Sequence, residues 1–240
     1  MITGKTGIGR GLVEKLLARG NTVIATTRSA DAPSSEPLRR LAAEHPARLV
    51  VTELDTASQG SVEAWAAALK DQHKIKHVDL LINNAGIYSG DGRRPKLEEF
   101  TAADFLPVFM TNSVGPFLVI QQLLARQLLG PPGSLVVNVS SIMGSNSDPT
   151  VSAVTPGAYA YRASKAALNS VTTTLARDFE RDGRQIQCCL VHPGYVKTDM
   201  TSGQGWVEVE ESAAGILKVL EDGRPLNGRW YSFNGDEIPW

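Results

Sequence analysis

Thr3-Gly4-Lys5-Thr6-Gly7-Ile8-Gly9 is the stretch on which the reading of this chain turns. It follows a strand-like stub, Met1-Ile2-Thr3, and opens a run in which Leu12, Val13, Leu16 and Leu17 recur at helical spacing. A strand that passes through glycines into a helix gathers free backbone N–H groups and the positive end of the helix dipole at one point. Glycines there let a pyrophosphate come close to the backbone. A glycine turn without a ligand uses the same residues, but its place directly after the first strand favours binding. Gly4-Lys5-Thr6 also looks like the end of a triphosphate-binding loop. That motif needs another glycine five residues before the lysine, a position ahead of Met1, so it is set aside.

Outward from this loop, strand-like and helix-like segments alternate along the chain. Short apolar or β-branched runs lie at Asn21–Thr27, Arg48–Glu53, Val78–Asn83, Ser134–Ser140 and Gln185–His192. Between them, helical periodicity covers Gly7–Arg19, Ser35–Glu44, Ser61–Gln72, Thr101–Leu129 and Ala158–Arg181, and Val209–Leu220 with a last strand, Arg229–Phe233, follows. Continuous apolar strands separated by helices predict a parallel sheet covered on both faces. Pro107 and Pro116 predict bends inside the long Thr101–Leu129 helix. Residues 90–95 and 148–156 read as surface loops, and Thr201–Gly205 as a flexible stretch where a lid would sit.

A chain of 240 residues is long enough for a single domain (1–240) with a large core. A net charge of −1 points to no nucleic-acid or anionic-membrane partner. No purely apolar run reaches the roughly 20 residues of a membrane helix, and the strand-like beginning predicts no signal peptide. Cys188 and Cys189 are adjacent in an apolar run. Neighbours make a poor disulfide and two cysteines no zinc site, so both read as core thiols of a reducing, cytoplasmic setting. The histidines His45, His73, His77 and His192 have no ligand spacing, so no metal is expected.

The chemistry centres on Tyr161-Arg162-Ala163-Ser164-Lys165. Positions four apart share a helix face, so Tyr161 and Lys165 present a phenol and an ammonium to one place. A phenol has an unperturbed pKa of about 10, and a neighbouring cation favours the phenolate, moving it toward useful general-acid strength. An exposed Tyr/Lys pair satisfies the same spacing. Tyr159, on another face, has no such lysine. Arg28 and Ser29 follow the second strand, where an acidic residue would bind a ribose 2′-hydroxyl and Arg suits a 2′-phosphate. That favours NADP over NAD. Asp55, after the third strand, could meet an adenine amino group or simply cap a turn.

With these residues assembled, the chain resembles the short-chain dehydrogenase/reductase family over nearly its whole length. The resemblance rests on several motifs in the right order. They are Asn83-Asn84-Ala85-Gly86, Asn112 in Met110-Thr111-Asn112-Ser113, Val137-Asn138-Val139-Ser140-Ser141-Ile142-Met143-Gly144, Tyr161 with Lys165, and His192-Pro193-Gly194-Tyr195-Val196-Lys197-Thr198. The ending Asn234–Trp240 and the long insert between Ser141 and Tyr161 look like the C-factor-type, carbonyl-reductase-like subgroup.

The resemblance implies a single-domain, doubly wound Rossmann fold with a seven-stranded parallel sheet. It also implies roles for individual residues. Tyr161 would be the general acid/base and Ser141, rather than Ser140, would bond the substrate oxygen. Lys165 would hold the nicotinamide ribose and lower the Tyr161 pKa, and Asn112 would anchor a water-mediated proton path to Lys165. NADP(H) would lie along Gly4, Thr6, Gly7, Ile8, Gly9, Arg28, Ser29, Asp55, Asn84, Ala85 and Gly86. At the nicotinamide end it would meet Tyr161, Lys165, Pro193, Gly194, Val196 and Thr198. The implied activity is NADPH-dependent reduction of a ketone or aldehyde, or oxidation of the alcohol. Pocket walls from Ile142, Met143, Tyr195, Trp206 and the 90–94 loop suggest an apolar or aromatic small molecule. Related proteins pair through their two long helices, here Thr101–Leu129 and Ala158–Arg181, implying a homodimer or homotetramer.

One feature departs from the family pattern. Only Lys5 and Thr6 separate Thr3-Gly4 from Gly7-Ile8-Gly9, where the family normally has three residues. One residue fewer could shift the helix start by about 1.5 Å and weaken dinucleotide binding. Two other functions therefore stay open: non-redox isomerisation, dehydration or cyclisation on the same residues, and a C-factor-like signalling or binding role.

Overall fold

The apolar runs form seven strands, β1 Ile2–Thr3, β2 Val23–Thr27, β3 Leu49–Glu53, β4 Leu80–Asn83, β5 Ser134–Val139, β6 Ile186–His192 and β7 Trp230–Ser232. A computed structural model describes residues 1–90, 96–148 and 157–240; the expected loops at 90–95 and 148–156 fall almost entirely outside them. The strands make one sheet in the order β3-β2-β1-β4-β5-β6-β7, and every pairing is parallel. Order reverses at β1, which pairs with both β2 and β4, so a crevice opens at the carboxyl ends of β1 and β4.

Helices α1 Gly7–Ala18, α2 Glu36–Glu44, α3 Gln59–Asp71, α4 Ala102–Phe109, α5 Gly115–Ala125, α6 Tyr159–Arg181 and α7 Val209–Glu221 cover the two faces. On one face Leu12, Leu16 and Leu17 of α1 and Ala213, Ile216 and Leu217 of α7 bury against Val137, Cys189 and Val191. On the other Val62, Trp65 and Leu69 of α3, Val119, Ile120 and Leu123 of α5 and Phe179 of α6 bury against Val136 and Cys188. Strand alternation thus sends the two adjacent cysteines to opposite cores. Both are free and buried, and burial pushes the Cys188 thiol up to about 12.

The single helix expected over Thr101–Leu129 is corrected to two α-helices joined by a π turn, Met110–Val114. Gly115 N–H bonds back to the Met110 carbonyl, one residue wider than an α-helical bond. Pro116 explains the widening: it has no N–H, and its ring would strike the carbonyl four residues earlier. The whole rod, Ala102–Ala125, is 24 residues long and apolar enough by length and composition to cross a membrane. The absence of a strictly apolar run had hidden it. Here Val108, Asn112, Ser113, Val119, Ile120 and Leu123 turn inward, which is the pattern of a helix docked on its own domain.

The Thr201–Gly205 stretch, expected to be loose, is a closed loop. Trp206 and Val207 N–H both donate to the Tyr195 carbonyl, Gly203 N–H donates to Thr198 and the Thr201 hydroxyl to Val196.

Candidate active site

The sheet's topology brings the predicted motifs to the same end of the molecule. The glycine loop sits there first. Gly4 and Gly7 take φ of +99° and +51°, so two left-handed glycines close the shortened turn. A Cβ on Gly9 would lie 2.7 Å from both the Gly4 carbonyl oxygen and the Asn84 Nδ2, and one on Gly7 would lie 3.0 Å from Thr198 Cγ2. The loop is therefore packed from below by Asn84 and at one side by Thr198, leaving its backbone facing the crevice. Thr6 is the N-cap of α1, but its side chain makes no capping bond, so the first-turn N–H groups at Gly7, Ile8 and Gly9 have no cap. An uncapped helix start in a glycine cradle fits a pyrophosphate.

Thr3 ties β1 to the Asn84–Gly86 turn. Its hydroxyl accepts from the N–H groups of Asn84 and Ala85 at 2.9 and 3.0 Å, and Asn84 Nδ2 donates to its carbonyl at 3.0 Å. Asn84 thus shapes the cradle rather than pointing a free amide along it. At the β2 end, Arg28 and Ser29 are exposed. Lys5, which the sequence reading passed over, reaches the same place: its Nζ donates to Ser34 Oγ at 2.6 Å and Ser35 Oγ at 3.1 Å. Ser35 in turn donates to the Ser29 carbonyl at 2.6 Å. Asp55 spends one carboxylate oxygen on the Ala57 N–H at 3.0 Å, the turn-capping use that the sequence had left open.

Asn112 sits in the π turn and is 1 % exposed. Its Oδ1 accepts from Ile87 N–H, and its Nδ2 donates to the Ile87 carbonyl and to Ser164 Oγ, at 2.9, 2.9 and 3.0 Å. The Ser164 hydroxyl in turn donates to the Tyr161 carbonyl at 2.7 Å. A Cβ placed on Gly86 would stand 3.2 Å from Asn112 Oδ1 and 3.7 Å from Lys165 Nζ, so both groups converge on that glycine.

Tyr161 and Lys165 lie one turn apart in α6 as the spacing demanded. The Lys165 ammonium is 5.8 Å from the centroid of the Tyr161 ring and donates to the Val139 carbonyl at 2.7 Å. Ser141 lies beside the Tyr161 phenol and favours its ionised form, while its Oγ accepts from the Met143 N–H at 3.3 Å. Ser140, by contrast, donates to Asn169 Oδ1 at 2.6 Å and is committed to holding β5 on α6. Tyr159 is 44 % exposed and packs edge-on against Phe100, away from this group.

The expected lowering of the Tyr161 pKa by Lys165 is not what this arrangement produces. Tyr161 is partly exposed, yet enough protein surrounds the phenol that burial pushes it up to about 12; Ser141 opposes this and Tyr88 adds to it. Lys165 does not offset the burial; its Nζ donates to the Val139 carbonyl and lies 5.8 Å from the ring centroid. Burial lowers Lys165 itself to about 8, so near neutrality the ammonium persists beside a neutral phenol.

Beyond this pair, the Pro193 carbonyl accepts from Ser212 Oγ at 2.7 Å, which anchors α7. Gly194 has φ of +88° and a Cβ there would meet the Phe233 ring at 2.8 Å, so only glycine fits. Val196 is buried and pairs with Val207, while Thr198 takes part in a capping box with Thr201 beside the glycine loop. Besides Lys5, the sequence reading missed Tyr88, whose ring lies 5.1 Å from that of Tyr161, and the Asn83–Asn138–Thr172 relay that ties β4 and β5 to α6. Tyr88's place just after the Asn83–Gly86 motif was the one available signal. Among the described residues no group of side chains could hold a metal ion.

The model of the short chain dehydrogenase family matches residues 1–206. The chain is 36 % identical over 164 residues to the C-signal protein of Myxococcus xanthus, covering 68 % of this chain and 93 % of that one. It is 32 % identical over 195 residues to the 1-hydroxy-2-glutathionyl-2-methyl-3-butene dehydrogenase of a Rhodococcus species, covering 78 % of each. Its fold overlays an NADPH-bound carbonyl reductase from chicken fatty liver with a TM-score of 0.87 at 33 % identity, covering 100 % of this chain and 97 % of that one. The sheet order, the cradle at its switch point and the Ser141–Tyr161–Lys165 cluster accord with these matches, and the chain belongs to the short-chain dehydrogenase family.

Proposed function

We propose that this member of the family reduces a ketone or aldehyde with NADPH, Tyr161 giving the carbonyl oxygen its proton. The observation that carries the reading is the cluster itself: a neutral phenol beside Ser141, with a buried ammonium 5.8 Å from its ring. Bound NADPH would supply the hydride. The chain's part is to orient the carbonyl and protonate its oxygen. Ser141 and Tyr161 offer two hydroxyls to one oxygen, and the phenol, pushed up to about 12, carries its proton near neutrality. Lys165 and Asn112 converge on Gly86, where the nicotinamide ribose would rest. The uncapped first turn of α1 would hold the pyrophosphate.

Lys5 and Arg28 would hold the 2′-phosphate: one ammonium already rests on Ser34 and Ser35, and Arg28 makes no ion pair among the described residues. This supports NADP over NAD and is testable. The double variant Lys5→Ala, Arg28→Ala should lose about a hundredfold or more in NADPH affinity while NADH affinity changes less than threefold, read by nicotinamide fluorescence titration, since charge-assisted phosphate bonds are the strong ones. Equal losses for both would refute the assignment. The direct test of the function is NADPH consumption during a screen of aldehydes and ketones; no saturable NADPH binding would defeat it.

We further infer a homodimer or homotetramer built on α4–α5 and α6. Leu106, Val114 and Phe117 of that rod and Tyr159 of α6 are exposed, more apolar surface than a lone domain needs. The buried free thiols suit a reducing, cytoplasmic setting.

A further inference from the structure

Tyr88 stands directly after the segment that Asn112 grips. Asn112 holds Ile87 by both its N–H and its carbonyl, so the backbone leading into Tyr88 has little freedom. The Tyr88 ring lies against the Tyr161 ring with centroids 5.1 Å apart and planes tilted by 32°. Among the described residues, Ser141 lies beside the phenol, the Lys165 ammonium sits 5.8 Å from the ring centroid and Tyr88 packs on the ring itself. A carbonyl compound bonded to the phenol would then set its substituent beside the Tyr88 ring.

Resting on the carbonyl-reductase reading above, we propose that Tyr88 sets substrate specificity: it admits carbonyl compounds with a flat aromatic or conjugated substituent and rejects those branched at the carbon next to the carbonyl. A flat π system can lie against the Tyr88 face, and aromatic pairs gain in offset or tilted stacking beyond the area they bury. A quaternary carbon beside the carbonyl would have to displace the Tyr88 ring, whose backbone entry Asn112 fixes through Ile87. In the same position Tyr88 shields Tyr161 from water and its phenol opposes ionisation of Tyr161, so its removal should make Tyr161 easier to ionise. Among the described residues, the charged or titratable groups against Tyr161 are Lys165 on α6 and Tyr88 on the β4 turn, and His192 at the end of β6 feels Lys165 and Asp148.

The test compares benzaldehyde, which is flat, with pivaldehyde, whose carbonyl carries a quaternary carbon, in wild type, Tyr88→Phe and Tyr88→Ala. The ratio of kcat/KM for the two aldehydes should fall about tenfold or more in Tyr88→Ala, the range over which apolar pockets discriminate, and stay within about threefold in Tyr88→Phe, which keeps the ring. Independently of turnover, an ultraviolet titration with the matching Tyr161→Phe background subtracted should show Tyr161 ionising at lower pH in Tyr88→Ala. An unchanged ratio together with an unchanged titration in a folded Tyr88→Ala would overturn the inference; if that variant does not fold, Tyr88→Leu takes its place. A wild type that binds NADPH but prefers pivaldehyde overturns this inference alone. One that binds no NADPH defeats the reading beneath it, and the inference with it.

Discussion

At the residue scale the site depends on burial working against charge. A phenol and an ammonium brought together by helical spacing would, in water, simply lower the phenol's pKa. Here Tyr161 rises to about 12 and Lys165 falls to about 8, because each loses more solvation than the other returns. The phenol therefore stays protonated near neutrality. His192 shows the same physics with a stability consequence. Its Nδ1 is buried without a hydrogen-bond partner, and burial first, then Lys165, lower its pKa to about 4 against a weaker raising effect of Asp148. The unfolded chain takes up this proton near 6.5 and the folded one only near 4, so the folded state binds fewer protons in between. Stability from this group is complete above about 6.5 and falls as pH drops toward 4, by about 3 kcal/mol in all. Urea unfolding at a series of pH values should show His192→Gln losing less stability than wild type between pH 6.5 and 4. An identical loss in both would reject the assignment.

At the scale of elements, two irregular pieces place the site. The glycine turn needs positive φ at Gly4 and Gly7 and no side chain at Gly9. Gly9→Ala puts a methyl 2.7 Å from the Gly4 carbonyl, so the turn must open. NADPH affinity should fall at least about tenfold by fluorescence titration, and an unchanged affinity would show that the turn does not bind it. The second piece is the π turn at Met110–Val114, which points Asn112 at Ile87 and Ser164. Both lessons bear on what sequence can show. Helix and strand were legible because the periodicities of Leu12, Leu16 and Val136–Val139 are local. Pro116 signalled a bend, but a π turn depends on where the displaced carbonyl finds a partner, and that is set by Gly115 and the packing of α6. The motif residues were readable one by one, whereas Lys5, Tyr88 and the raised pKa of Tyr161 arise only when distant segments meet.

At the scale of the molecule, the sheet does the assembling. Reversal of strand order at β1 sets the cradle beside β4, and the in-register run of β4, β5 and β6 carries Asn84, Ser141 and Gly194 to one rim. Alternation of segments predicted the covered parallel sheet, and the family resemblance its doubly wound course. Pairing through the outer rod was already implied by the family resemblance, and the exposed Leu106 and Phe117 are apolar positions available for it. Sedimentation at micromolar concentration should show a dimer or tetramer, and Leu106→Glu with Phe117→Glu should yield folded monomers; a wild-type monomer would remove the oligomer proposal. The most direct test of the central claim, that Tyr161 delivers the proton beside bound NADPH, is Tyr161→Phe assayed for both binding and turnover. NADPH should bind within about threefold of wild type while carbonyl-dependent NADPH consumption falls by about a hundredfold or more. Turnover at the wild-type rate in Tyr161→Phe would contradict the account.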